Sequence, residues 1–364
     1  MAARHPCHLQ PVRGYTLIEL LVVIMIAILL MAVTLPAAKS IMENARPREA
    51  SRILNAAFAT AKARAASTGR PCGLEFLLTP VGDPTATPVA QQSTQLFLCE
   101  VPAMYSGDTT NARVTVNTST WELTFQNSCA TNLPSLLDSS NVFFIRINYR
   151  GPWHVGSYNT MSSKYYITAP SVYPPTSDTG GYAFQILRPP VRIGNPIELP
   201  KSTAIDMNYS GFGTGVDKSA TMSAKEGIDF SLINKDGGLR IMFSPNGSVH
   251  SVAFDSTTSE MDSPNYPDFS PPGTSAPGTI HLLIGLTSKV NLPTASNMAN
   301  LELSNLADNN ALWVSVGRAS GLVTSTENLV PTDLSTYSTD LTQAQNYLTY
   351  ARTYATAREQ KGGL

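Results

Sequence analysis

Between Arg13 and Ala38 the chain reads RGYTLIELLVVIMIAILLMAVTLPAA, an apolar run with one acid, Glu19, near its start. Every residue from Leu20 to Val33 is apolar. With Leu17, Ile18 and the stretch from Leu35 to Ala38, the run is about 22 residues long and would rise about 33 Å as a helix, enough to cross a bilayer. No other feature restricts the chain as strongly, because such a surface must be covered by lipid or by protein. A cleaved secretory signal fits poorly, since the run is too long and Glu19 interrupts its beginning. A signal-anchor helix fits better. Arg4 and Arg13 precede the run, and Lys39, Arg46, Arg48 and Arg52 follow it, offset by Glu43 and Glu49. Flanking charge therefore leaves the orientation open.

Glu19 lies four residues after Tyr15, so in a helix its carboxylate shares a face with the Tyr15 backbone nitrogen, about one turn away. A carboxylate in hydrocarbon costs about 2.5–3.5 kcal/mol and requires a partner. A cut before Tyr15 would turn that nitrogen into a cation able to serve. The string GYTLIELLVVIMIAILLMAVTLP resembles the prepilin leader and amino-terminal helix of type IV pilins and type II secretion pseudopilins. Gly14, Tyr15, Thr16, Leu17, Ile18, Glu19 and Leu20 match that pattern one by one, with Tyr15 where the family usually has Phe. Pro36 falls where many pilins carry a helix-loosening proline.

The resemblance implies cleavage by prepilin peptidase between Gly14 and Tyr15 on the cytoplasmic side, and N-methylation of Tyr15. It implies assembly through Thr16, Leu17, Glu19 and Pro36, with Glu19 neutralising the terminal amine of an adjacent subunit. The implied partners are other pseudopilins or pilins, the peptidase and an inner-membrane assembly platform. The implied location is the inner membrane, single-pass, with the carboxy-terminal domain in the periplasm or in a filament.

Past Pro36 the pattern becomes amphipathic. Ile53, Leu54, Ala57, Phe58, Ala61 and Ala65 fall on one face, with Arg48, Arg52, Asn55, Lys62 and Arg64 on much of the rest. Pro47 marks a kink or a first-turn position. Gly69 followed by Pro71 is a stop signal, so one helix is expected from Tyr15 to about Thr68. SRILNAAFATAKARAASTGRPCGLEF resembles the segment after the membrane helix in general secretion pathway protein H and the FimT minor pilins, through Ala63–Ala66 and Gly69–Pro71. RIMFSPNGSV, PIELPKSTAIDMNYSGFG and ALWVSVGRASGLV resemble later parts of the same family.

Beyond Gly69, runs rich in Val, Ile, Phe and Tyr recur. They are Cys72–Leu78, Gln95–Val101, Thr120–Phe125, Val142–Tyr149, Tyr182–Leu187, Leu239–Phe243, Ser248–Phe254, Thr279–Leu286 and Leu312–Val316. Asn246-Gly247 reads as a hairpin turn. The fold class expected is α+β: a long amino-terminal helix, membrane-spanning in its first half, packed on an antiparallel sheet, as in pilins. The expected divisions are 1–14 leader, 15–38 transmembrane helix, 39–68 amphipathic helix, 69–325 β-rich domain and 326–364 tail with a helix. The chain exceeds protein H in length, and the excess is assigned to loops at Thr79–Thr94, Pro170–Gly181 and Asp255–Gly278, read as exposed and mobile. In the tail Leu341, Ala344, Leu348, Ala351 and Ala355 form one helical face, beside a stripe of Tyr347, Tyr350 and Tyr354, and are expected to pack on the chain's own domain.

Nothing in the chain reads as a catalytic constellation. His154, His250 and His281 are far apart, and no GxSxG, HExxH or P-loop is present. Gly211, Gly213 and Gly215 cluster without a following helix. Asp255, Glu260, Asp262 and Asp268 share a loop without EF-hand spacing. No metal or cofactor is expected. Of the cysteines Cys7, Cys72, Cys99 and Cys129, the last two are a candidate disulfide, with buried thiols as the alternative. Loss of Arg4 and Arg13 with the leader would leave 23 basic against 26 acidic residues. The basic residues are scattered, so nucleic acid is not favoured; its best site would be Arg352, Arg358 and Lys361. The reading is a pseudopilin or minor pilin of a type II secretion pseudopilus, a structural subunit and not an enzyme. The alternatives are a minor type IV pilin in adhesion or DNA uptake and, further off, a membrane-tethered enzyme.

Overall fold

The structure, a computed structural model, describes residues 16–82, 89–126, 133, 142–149, 151–167, 180–188, 190–213, 238–254, 278–292, 294–334 and 341–360, with only the backbone for 33–44. The chain divides into two compact units, Met1–Ala45 and Arg46–Leu364. Helix α1, Leu17–Thr68, supplies the first unit with its described residues and the second with one layer of its core. The helical assignment continues through Pro36 and Pro47. The helix stops at Gly69, which takes φ +67° and returns its N–H to Ala65 O at 3.0 Å. That left-handed cap is the ending the Gly-x-Pro signal announces.

In the second unit the main sheet runs in the order β12-β11-β1-β2-β10-β13-β14-β15, with β9 also paired to β2. Its strands are β1 (Cys72–Val81), β2 (Ala90–Glu100), β9 (Val191–Glu198), β10 (Thr203–Phe212), β11 (Gly238–Phe243), β12 (Val249–Phe254), β13 (Ile280–Leu286), β14 (Leu312–Val316) and β15 (Val323–Glu327). Each of their pairings is antiparallel. Side chains alternate faces along a strand, and both faces here are apolar. Leu282, Val314 and Val316 join Ala50, Leu54, Phe58 and Ala61 of α1 in one core. Leu283 and Trp313, one residue out of step, join Tyr347, Leu348, Ala351 and Ala355 of helix α3 (Leu341–Gln360), which follows the single-turn helix α2 (Ala295–Met298), in another. The sheet thus lies between two helices. The expected tail face is met by Leu348, Ala351 and Ala355, with Tyr347 buried beside them rather than exposed.

The β11–β12 hairpin turns at Asn246-Gly247 as expected: Gly247 has φ +90°, and Ser244 N–H reaches Ser248 O at 2.9 Å. Val249 N–H, on the outer strand β12, donates to Arg318 O in the β14–β15 turn at 3.1 Å. The two ends of the main sheet therefore meet on one side. Lys62 of α1 donates to Gly321 O in that same turn at 2.9 Å.

Two sequence readings are corrected here. The described residues of Thr79–Thr94 are mostly sheet rather than loop, since β1 continues to Val81 and β2 begins at Ala90, while 83–88 lie outside the described residues. The extra length is also not all loop, because a second sheet is inserted between β2 and β9. It has the order β3-β4-β7-β6-β5-β8. These strands are β3 (Arg113–Val116), β4 (Glu122–Gln126), β5 (Val142–Ile147), β6 (His154–Asn159), β7 (Lys164–Ile167) and β8 (Phe184–Leu187). Val114 of β3 pairs with Tyr182, just before β8, through bonds of 2.8 and 2.9 Å. This bridge links the sheet's two ends into a small barrel, and Tyr105 pairs with Ile186 on the outer edge of β8. Phe125 meets Phe184 and Tyr165 edge-on inside the barrel, at 5.0 and 5.2 Å between ring centres. The loops 168–179 and 255–277 lie outside the described residues.

Polar groups fix the joints. Buried Glu75 on β1 receives Arg192 Nε and Nη2 of β9 at 2.9 and 2.8 Å, and Arg240 of β11 at 3.5 Å. Burial raises its carboxyl pKa, but the two guanidiniums outweigh burial and hold it below the usual range. Asp206 on β10 is fully buried, accepting from Asn208 Nδ2 at 2.8 Å and Asn305 Nδ2 at 3.0 Å. Burial pushes it up to about 7, against those bonds. It opens a register shift in the β10–β13 pairing that lasts until Gly211.

At Gly73 two strands leave no room for a side chain: a Cβ there would lie 2.0 Å from Ile241 O of β11. Gly156 is also crowded, but by the tip of the Phe143 ring. Gly73→Ala is expected to cost about 2–3 kcal/mol, because backbone must move, and Gly156→Ala about 1 kcal/mol, because a ring can turn. Chemical denaturation of the two variants checks the order.

Candidate functional site: the start of the first helix

Thr16 precedes the first helical residue and Glu19 lies three positions on, the spacing of a capping box. The structure forms one. Thr16 N–H and Thr16 Oγ1 both donate to Glu19 Oε2 at 2.9 Å, and Glu19 N–H returns to Thr16 Oγ1 at 3.3 Å. Two of the orphan donors at the helix start are thereby satisfied, and the carboxylate lies against the positive end of the helix dipole. The sequence reading gave Glu19 only the cleaved amine as a partner. It missed this local one, although Thr-x-x-Glu ahead of an apolar run is a recognised signature.

Behind the box, the helix is apolar on every side. Its side chains from Leu17 to Ala32 are all exposed, Leu17 at 83 % and Met31 at 61 %. A helix with this surface is normally a buried or lipid-covered one. Among the described residues, however, no helix is long and apolar enough to cross a membrane. The transmembrane helix expected over 15–38 includes Tyr15 and the side chains of 33–38, which lie outside the described residues. Gly14 and Tyr15, the expected processing site, lie outside them, as do the side chain of Pro36 and the whole of Cys129. Leu17 is the first residue of α1. Cys99 is a buried free thiol whose Sγ donates to Met242 Sδ at 3.4 Å; burial drives its pKa up to about 12.

At its other end α1 is tied to the sheet by residues that carry the resemblance to protein H. Arg64 Nε donates to Glu100 Oε2 on β2 at 2.8 Å, and Arg70 pairs with the other oxygen of the same carboxylate. The Ala63-Arg64 and Gly69-Arg70-Pro71 stretches thus converge on one acid.

The remaining candidates do not gather. His154, His250 and His281 lie on three different strands, and burial lowers the pKa of each. Among the described residues no group of three or more His, Cys, Asp or Glu could hold a metal ion. Gly211 is the penultimate residue of β10, whereas Gly215 and the acidic loop Asp255–Asp268 lie outside the described residues. The tail's proposed phosphate site is corrected. Arg352 is wholly buried and donates to Tyr209 O at 2.7 Å, and Arg358 is bonded to the Tyr354 hydroxyl at 3.0–3.1 Å. Lys361 lies outside the described residues.

The model of the prokaryotic N-terminal methylation motif matches residues 10–35. No curated protein matches the chain. No solved structure matches it either. The matched segment contains the Gly14–Tyr15 junction, the capping box and most of the apolar run, and it marks the chain as a type IV pilin- or pseudopilin-like substrate of prepilin peptidase.

Proposed function

We propose that the chain is a pseudopilin or minor pilin that resembles general secretion pathway protein H and serves in a type II secretion pseudopilus. The observation that carries this reading is an all-round apolar helix that opens on a Thr16–Glu19 box inside a methylation motif. Residues 15–38 insert in the inner membrane, and the β domain faces the periplasm. Prepilin peptidase cuts after Gly14 and methylates Tyr15. Other pilins and an inner-membrane platform then draw the subunit into a filament. The protein is a structural subunit, not a catalyst.

The chemistry of assembly follows from the cost of charge in hydrocarbon. In a lone subunit the Glu19 carboxylate is paired only with neutral donors of Thr16, so its charge is solvated locally but not neutralised. Cleavage creates an ammonium at Tyr15, and methylation leaves it charged. Bringing that ammonium to the Glu19 of a neighbour cancels two buried charges at once and so favours stacking of subunits. A minor type IV pilin would share every one of these steps and differ in the filament that retains it.

Two variants test this. Glu19→Ala should insert in the membrane as before but fall at least tenfold in recovery from sheared filaments; unchanged recovery would remove the charge-pairing step. Thr16→Ala should fray the first turn, weakening its cap by about 1 kcal/mol. That loss reads as roughly fivefold faster amide exchange at residues 17–20 in micelles, and Thr16→Ser should restore it.

A further inference from the structure

The seat of α3 is unusual in being polar at its centre. His281 on β13 faces Ser315 on β14, its direct cross-strand partner. Its ring is fully buried, with Nδ1 at 2.9 Å from Ser315 Oγ and Nε2 at 3.1 Å from Thr356 Oγ1 of α3. Thr356 Oγ1 gives its own proton to Arg352 O at 3.0 Å, so it accepts from the imidazole. That assigns the proton of a neutral ring to Nε2 and leaves Nδ1 to accept from Ser315. The Trp313 ring stands edge-on to the imidazole at 6.2 Å. One turn earlier on α3, Arg352 is buried beneath the same helix and bonded to Tyr209 O of β10.

We propose that His281 makes the docking of α3 proton-sensitive, so that acid unlatches this helix from the sheet while the α1 side stays packed. An added proton has nowhere to be solvated, and it would sit in a sealed layer that already holds the permanent charge of Arg352. The other groups that titrate around this seat do not offset it. Tyr209 on β10 and Tyr347 on α3 are buried phenols, and Ser315 and Trp313 on β14 carry no charge. Asp206 on β10, pushed up to about 7 by burial, is held by Asn208 and Asn305 and not by a hydrogen bond from α3, so its titration belongs to the sheet and not to the docking of this helix. Beside His281 the α3 contact is made by the small side chains of Ala351 and Ala355, with Tyr347 and Leu348 packed one to two turns earlier.

The direction of the effect is fixed by linkage. Burial, and then Arg352, lower the docked imidazole to about 3, from an ordinary value of 6.5. The released form therefore binds the proton. Docking is fullest above about pH 6.5 and weakens as pH falls, by up to tenfold per unit, until about pH 3. Opening would bare Trp313, Leu283 and Tyr209.

Hydrogen exchange of the full chain in detergent micelles, corrected for the intrinsic effect of pH, tests this. From pH 7 to pH 4.5 the protection of residues 347–356 should fall by a factor on the order of 100, while that of residues 50–65 holds. In His281→Gln the fall should vanish. Protection of 347–356 that tracks 50–65, or an unchanged fall in His281→Gln, would overturn the proposal. Should that variant not fold, an NMR titration of His281 in the unaltered chain decides. Protonation only below about pH 4, together with loss of α3 protection, supports the latch; protonation near 6.5 with α3 still protected overturns it.

Discussion

A helix that is apolar on every side cannot stay uncovered in water, and the rest of the account follows from how α1 meets that constraint. Within the second unit the same helix has only one apolar face, and Ala50, Leu54, Phe58 and Ala61 bury it against the sheet. In the first unit no face is spared, since Leu17 to Met31 are exposed throughout. One segment can serve both purposes because its pattern changes near Pro36, from continuous apolar residues to a 3.6-residue stripe. The charge at its start is the exception that the opening turn has to absorb. Thr16 does so without another chain, by giving Glu19 two donors.

The sheet shows the same economy on its other side. Because side chains alternate, β13 and β14 present Leu282 and Val314 to α1 but Leu283 and Trp313 to α3. Such strands have no solvent face, and their burial is complete or nearly so. Apolar filling alone does not close the α3 side. Asn305, Ser304, Arg352 and His281 are buried there and meet hydrogen-bonding partners. Buried polar networks of this kind fix one arrangement when satisfied and penalise every other.

How much of this was legible depended on whether burial matched polarity. The α1 helix and its Gly69 stop, the Asn246-Gly247 turn and the Val/Ile-rich strands were readable because their apolar residues fall where the backbone period puts them. β10 was not read as a full strand. Its sequence, TAIDMNYSGF, mixes Asp206, Asn208 and Ser210 among apolar residues, yet every position is buried and a bulge shifts its alternation midway. β9 failed for the opposite reason, being exposed along most of its length. In the barrel, β6 and β7 are joined through Asn159, whose Oδ1 takes Met161 and Ser162 N–H groups, and through Ser163 at φ +55°. Trp121 does the same for β3 and β4 at φ +57°. Turns that use a serine or a tryptophan where glycine is usual carry no clear signal. The capping box was in plain view as Thr-x-x-Glu, but the acid had already been given to an intermolecular partner.

The account turns on the creation of a new amino terminus at Tyr15, since without it Glu19 has no cation to meet. Mass spectrometry of the protein recovered from membranes of a host with an active prepilin peptidase measures this directly. The account predicts a chain that begins at Tyr15 and carries one methyl group on its amine. A chain that still begins at Met1 and retains Gly14 would contradict it.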